Sequence, residues 1–391
     1  MTSTLITNIG QLVTNDPNHD GTKLGLIRDA ALLIEDGVIA WAGPNSQAPT
    51  HHIKKTIDAE SKCILPGYVD SHTHMIFVGD RSSEFRARML GEMYSAGGIT
   101  STVEKTRKAS NELLLNHAQF LSAEAYAGGT TTFEIKSGYG LTLKDERRSL
   151  EIARKISDET TFLGAHVVPV EYKDSPNDYV DLVCGPMLDA VQPYAKWIDV
   201  FCDEGAFSVD DARRILKAGI ARGLLPRLHA NQLQEGQGVA LGVELDAASV
   251  DHVSHVSEED IQLLSTSNTV ATLLPGAEFS TRSAYPDVRP LLEASITVAL
   301  ASDCNPGSSY TTSMAFIIAV AVREMHFSPE QAVWSATMGG AKALRRADIG
   351  HLVEGARADF QILNAPSYIH LAYRPGVNLV EQVWRNGLQL I

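Results

Sequence analysis

Residues 66–74 read PGYVDSHTH, a turn and a short apolar run ending in two histidines separated by one threonine. In an extended backbone, residues i and i+2 share a face, so the imidazoles of His72 and His74 point the same way and converge on one spot. Metal binding would use that convergence. Chance alone supplies about 0.4 such pairs in a chain with 13 histidines among 391 residues, so the pair gains meaning only from what accompanies it.

What accompanies it is a set of reactive side chains at the ends of other apolar runs. TTTFEIKSGYG carries Lys136 and Tyr139, TFLGAHVVP ends near His166, WIDVFCDEG near Asp203 and Glu204, and PRLHANQ at His229. AASVDHVSH ends near His252, TVATLLPG at Pro275 and ITVALASDCNPG at Asp303. Longer helical segments lie between the runs. SVDDARRILKAGIARG, for instance, opens on Ser208 as an N-cap followed by acids and closes at Gly223. Eight strand-like runs alternating with helical stretches predict a (β/α)8 TIM-type barrel, in which the C-terminal ends of the strands surround one mouth. Scattered structural histidines have no reason to collect there.

His72, His74, His229 and Asp303 together offer three imidazoles and a carboxylate, a set suited to Zn2+ or Fe2+ with a position left for water. Such a cation brings water's ionisation near neutral pH. His252 at a strand end reads as catalytic, whereas His255 falls on the following loop. His166 has a similar case for touching substrate, and Arg81, just after the first strand, for clamping a substrate carboxylate. Asp203 and Glu204 read as rim residues facing solvent, His51 and His52 as solvated. The glycines of KSGYG read as loop turns near the mouth, since no strand–GxGxxG–helix arrangement surrounds them.

The elements outside 66–349 have another texture. Residues 1–65 and 350–391 alternate as strands punctuated by D-G, G-P and P-G, so the expectation is a small β domain composed of both termini beside a catalytic domain at 66–349. Net charge is −14 with no basic block, which argues against a nucleic-acid surface and makes any anion site depend on a local Arg or Lys. Four scattered cysteines form no C-x-x-C pair, the first residues lack a basic segment followed by a long apolar one, and the longest apolar run, AFIIAVAV, is too short for a bilayer. These features predict a cytoplasmic chain with no membrane association.

In order along the chain, PGYVDSHTHMIFVGDR, EIKSGYGL, FLGAHVVP, VFCDEGAFS, LHANQ, SVDHVSH, LLPGAEF and ASDCNPGSS resemble the amidohydrolase superfamily, and within it the imidazolonepropionase family. The resemblance implies a barrel joined to a small β-sandwich built from both termini, a homodimer, and one divalent metal ion per subunit, Zn2+ or Fe2+ (or Fe3+). The fourth run, WIDVFCDEG, lacks the carboxylated lysine of two-metal relatives, which favours one ion. It implies hydrolysis of 4-imidazolone-5-propanoate to N-formimidoyl-L-glutamate (EC 3.5.2.7). Carried over by position, His72, His74, His229 and Asp303 match metal ligands, and His252 and Asp303 catalytic residues. Arg81, Tyr139, His166, Gln232, Asn305, Gly307 and Ser308 match substrate contacts. Gln232 cannot shuttle a proton, which argues against a deaminase, and Asn231 and Cys304 depart from the commoner pattern.

Overall fold

A computed structural model describes residues 3–91 and 98–391. The chain forms two compact units, one of Met1–Asp70, Ala123–Thr132 and Ser313–Ile391, the other of Ser71–Ser122 and Phe133–Thr312.

The first unit carries a mixed sheet drawn from both ends of the chain. Its strands run in the order Leu388–Gln389, Val380–Arg385, Phe360–Leu363, Cys63–Pro66, Ser3–Val13, Leu26–Glu35 and Val38–Pro44, with Lys55–Asp58 also paired to Ser3–Val13. Two hairpins turn on two-residue loops, Asp36-Gly37 (φ 46° and 89°) and Asn386-Gly387 (φ 51° and 70°). Positive φ at both positions is what a tight hairpin needs to match the strand twist. Ile6, Ile9, Leu12, Leu32, Ile64 and Ile362 bury one continuous core, and the rings of the cross-strand pair Phe360 and Trp384 stack at 5.4 Å.

The second unit is built around parallel strands in the order Ile135–Lys136, Thr160–Ala165, Trp197–Cys202, Leu228–Ala230, Ser249–His252, Val270–Leu273 and Val298–Leu300. Residues 72–74 close the ring. Thr73 bridges Cys304 in parallel, and its carbonyl accepts the Lys136 N–H at 2.9 Å. These strands are buried on both faces, which is why they read as nearly unbroken apolar runs. Helices Leu143–Ala153, Val209–Ile220 and Glu258–Ser265 start where Thr142, Ser208 and Ser257 accept a hydrogen bond from the third helical N–H. The result is a TIM-type barrel. No helix among the described residues is long and apolar enough to cross a membrane.

Candidate active site

The mouth of the barrel gathers side chains from most of its strands. Strand pairing does the first part of the work: Asp303 N–H donates to the His72 carbonyl at 3.0 Å and His74 N–H to the Cys304 carbonyl at 2.9 Å. That register brings His72 Nε2 and His74 Nε2 to 3.2 Å from each other and both to 3.5 Å from Asp303 Oδ1. His229 joins from the fifth strand, its ring centroid 4.5 Å from that of His72 and 5.4 Å from that of His74. His252 follows at 5.3 Å from His229. Asn231, His252 and Asp303 all take positive φ (53°, 76° and 52°) where their strands end. Non-glycine residues reach that region at a cost, and such strain concentrates at functional sites.

Two carboxylates fix the orientation of the imidazoles. His72 Nδ1–H donates to Asp251 Oδ2 at 2.8 Å and His229 Nδ1–H to Asp199 Oδ1 at 3.0 Å. Each ring then turns its Nε2 lone pair inward, and His229 Nε2 is buried without a hydrogen-bond partner. Burial holds His72, His74 and His166 well below the usual histidine pKa and brings His252 down to about 3, so these rings are neutral. Burial raises Asp303. Convergent neutral imidazoles, an orphaned ring nitrogen and a carboxylate oxygen form a donor set that fits a divalent cation.

Beneath the site lie charges of which the sequence singled out only Lys136. Asp199, Asp251, Glu134, Lys136 and Arg227 are all fully buried. An acid inside the apolar run WIDVFC was the available signal for Asp199, since an ionised group is buried only with partners.

A pocket in front of the imidazoles is lined by His74, Arg81, Tyr139, His166, His229, Gln232, His252, Asp303, Asn305, Gly307 and Ser308; His72 is sealed behind it. The expected site residues therefore meet in one place. The Arg81 fork spans Glu84, with Nε at 2.9 Å and Nη2 at 2.5 Å from its carboxylate. His166 stacks on His74 at 5.3 Å and donates Nδ1–H to the Gly138 carbonyl at 3.0 Å. Asn305 organises the last loop: its Oδ1 accepts Gly307 N–H at 2.7 Å and Ser308 N–H at 2.8 Å, while Ser308 Oγ donates to Asp303 Oδ2 at 3.3 Å. Arg88, which carried no sequence signal, donates from Nη2 to the Gly307 carbonyl at 2.7 Å.

Several neighbours take roles other than those expected. Asp203 does not simply face solvent; its Oδ2 accepts the Gln232 and Leu233 N–H groups at 2.7 and 2.9 Å and so fixes the Gln232 loop. Glu204 is exposed. The KSGYG turn and the residue after it donate the N–H groups of Gly138, Gly140 and Leu141 to the buried carboxylate of Glu146, which uses up those donors and holds Tyr139 at the mouth. Asn231 is buried and gives its amide to the carbonyls of Gly236 and His255, so it ties two loops together and does not face the pocket. Cys304 is buried behind the pocket, its carbonyl holding His74.

Comparison with known proteins bears on the family and the fold. Residues 227–388 match the model of the amidohydrolase family. An imidazolonepropionase of Mycolicibacterium smegmatis is 62% identical over 387 residues, covering 99% of this chain and 97% of that one. Another, from Salinispora tropica, is 61% identical, with 99% of each chain covered. Among solved structures, guanine deaminase from C. acetobutylicum superposes with a TM-score of 0.74 at 16% identity, covering 100% of both chains. Atrazine chlorohydrolase from Arthrobacter aurescens, complexed with zinc, gives 0.73 at 16%, covering 99% of this chain and 95% of that one. The solved structures bear on the fold alone, whereas the sequence relatives extend over almost every residue: the chain belongs to the imidazolonepropionase family of amidohydrolases.

Proposed function

We infer that this chain hydrolyses the cyclic amide of 4-imidazolone-5-propanoate, giving N-formimidoyl-L-glutamate (EC 3.5.2.7). The observation that carries the reading is one pocket in which Arg81 stands before the His72, His74, His229 and Asp303 cluster, in a chain 62% identical to an imidazolonepropionase.

His72, His74, His229 and Asp303 would hold one divalent ion, Zn2+ or Fe2+ (or Fe3+). When bound, such an ion supplies Lewis acidity that makes water a competent nucleophile near neutral pH. Asp303, raised by burial and steadied through Oδ2 by Ser308, accepts the proton of the attacking water. Attack falls on the ring carbonyl carbon. His252 hydrogen-bonds the oxygen on which negative charge develops, where preorganised donors contribute most. As the ring C–N bond breaks, Asp303 returns the proton to the departing nitrogen. Arg81 grips the propionate and Tyr139, His166, Gln232, Asn305, Gly307 and Ser308 complete the contacts, with Gln232 orienting the substrate by hydrogen bonds.

The same reading takes residues 66–349 as the catalytic barrel and 1–65 with 350–391 as the family's terminal β-sandwich. It also takes the chain to work as a cytoplasmic homodimer.

The test is to follow loss of the imidazolone ultraviolet band with purified protein, alongside metal analysis and identification of the product. Formation of N-formimidoyl-L-glutamate supports the reading; release of ammonia by ring deamination, or no turnover by metal-replete protein, overturns it.

A further inference from the structure

The mechanism above makes no use of Lys136, yet its ammonium is fully buried in the barrel. A buried ammonium has lost its hydration and persists only with partners, so those partners matter. Nζ lies 2.8 Å from Asp199 Oδ2, 3.1 Å from Glu134 Oε1 and 3.9 Å from Asp251 Oδ2.

Each of these carboxylates has a second duty. Asp199 accepts both the ring Nδ1–H and the backbone N–H of His229, at 3.0 and 3.2 Å. Asp251 accepts His72 Nδ1–H at 2.8 Å. Glu134 uses its other oxygen to accept the N–H of Thr73, at 3.1 Å, and its carbonyl accepts the Thr73 hydroxyl at 2.6 Å. Thr73 is the residue between His72 and His74, so Glu134 pins the segment bearing both. Arg227 supports the group from one side, with Nη2 at 3.2 Å from Asp251 and 2.6 Å from the Ser71 carbonyl. The Lys136 ammonium reaches the carboxylates behind His229 and His72 and the one that pins the segment bearing His74.

We infer that Lys136 is a positioning residue for the metal centre: its ammonium gathers Asp199, Asp251 and Glu134 from three barrel strands, and through them sets the imidazoles of His229 and His72 and the backbone segment that carries His74. The inference rests on the metal centre proposed above. Without the ammonium, Asp199 and Glu134 lose their counter-charge, Asp251 is left to Arg227 alone of the two cations, and the tie among three strands is lost, so the inward lone pairs no longer converge on one point.

The test is Co2+ and Zn2+ affinity of the full chain, measured by competition against a chromogenic chelator, with the visible spectrum of the Co2+ form as a report on ligand geometry. Lys136→Met is expected to bind about 10- to 100-fold more weakly, the usual cost of losing an outer partner of a metal ligand, with an altered Co2+ spectrum. Glu134→Gln combined with Lys136→Met removes one buried charge of each sign and eases folding, and the same weakening is expected. A merely structural lysine would lower the melting temperature of metal-free protein while leaving the affinity of folded chain intact. Affinity within about twofold of the parent, outside the range expected for such a partner, with an unchanged spectrum in a folded variant, overturns the inference and leaves the metal centre standing. Failure of the parent chain to bind either ion overturns both.

Discussion

Gly307 packs against the guanidinium of Arg81 so closely that a Cβ at position 307 would collide with Nη1. A Cβ at Gly98 would meet Nη2 on another side. The fork is flanked by both glycines, its Nε and Nη2 turned to Glu84. Gly307→Ala should displace the guanidinium and raise KM for the propionate-bearing substrate by about tenfold or more, the scale of losing a charge-assisted contact. Arg81→Ala should do the same, and neither should affect an imidazolone lacking the side chain. Steady-state kinetics on the two substrates check this; equal losses on both remove Arg81 from the clamp.

Stripping metal should abolish turnover and lower the melting temperature, because an ion that binds only the folded chain stabilises it by mass action. Adding back Zn2+ or Fe2+ should restore both, with about one equivalent per chain by elemental analysis, as a single four-donor cluster requires. Full activity in stripped protein would contradict the proposed role of the His72, His74, His229 and Asp303 cluster.

His252 is neutral down to about pH 3 because it is buried. His252→Asn should cut kcat by about 100- to 1000-fold, the scale of losing one oxyanion donor, while KM changes little. The kcat profile between pH 5 and 8 should contain no limb that this substitution removes, and a limb that vanishes would show the ring titrating there.

Glu278 sits in the helix Pro275–Thr281, fully buried, with Ser254 Oγ donating to it at 2.5 Å. Burial pushes its pKa from 4.5 to about 7. Its folded-state value lies above the unfolded one, so the folded chain binds the extra proton between them. Stability then falls as pH rises through that window, and the penalty is absent below about 4.5 and complete above about 7. Glu278→Gln should leave the melting temperature unchanged at acid pH and raise it at pH 8, by on the order of 3 kcal/mol in stability at most. Thermal melts of both proteins at the two pH values decide it.

The barrel and the mouth were legible in the sequence because both follow from local pattern. Runs buried on two faces read as apolar stretches, and period-two geometry puts His72 and His74 on one side without reference to anything distant. Asp203 and Asn231 were misjudged or left open because a polar residue at a strand end looks the same whether it meets solvent or a neighbouring loop's N–H groups. The carboxylates under the site were missed for a related reason. Alternation tells which face Asp199 and Glu134 occupy, but not that Lys136 stands between them.

The sequence by itself determined which donor types were present and that they end barrel strands, since composition and short-range spacing are properties of one segment at a time. Only the tertiary structure decided that Asp251 turns His72, that Asp199 turns His229 and that one ammonium binds their carboxylates. Those pairings join residues 30 to 179 positions apart, and a buried charge takes the partner that closure of the ring delivers to it, which no stretch of chain encodes alone.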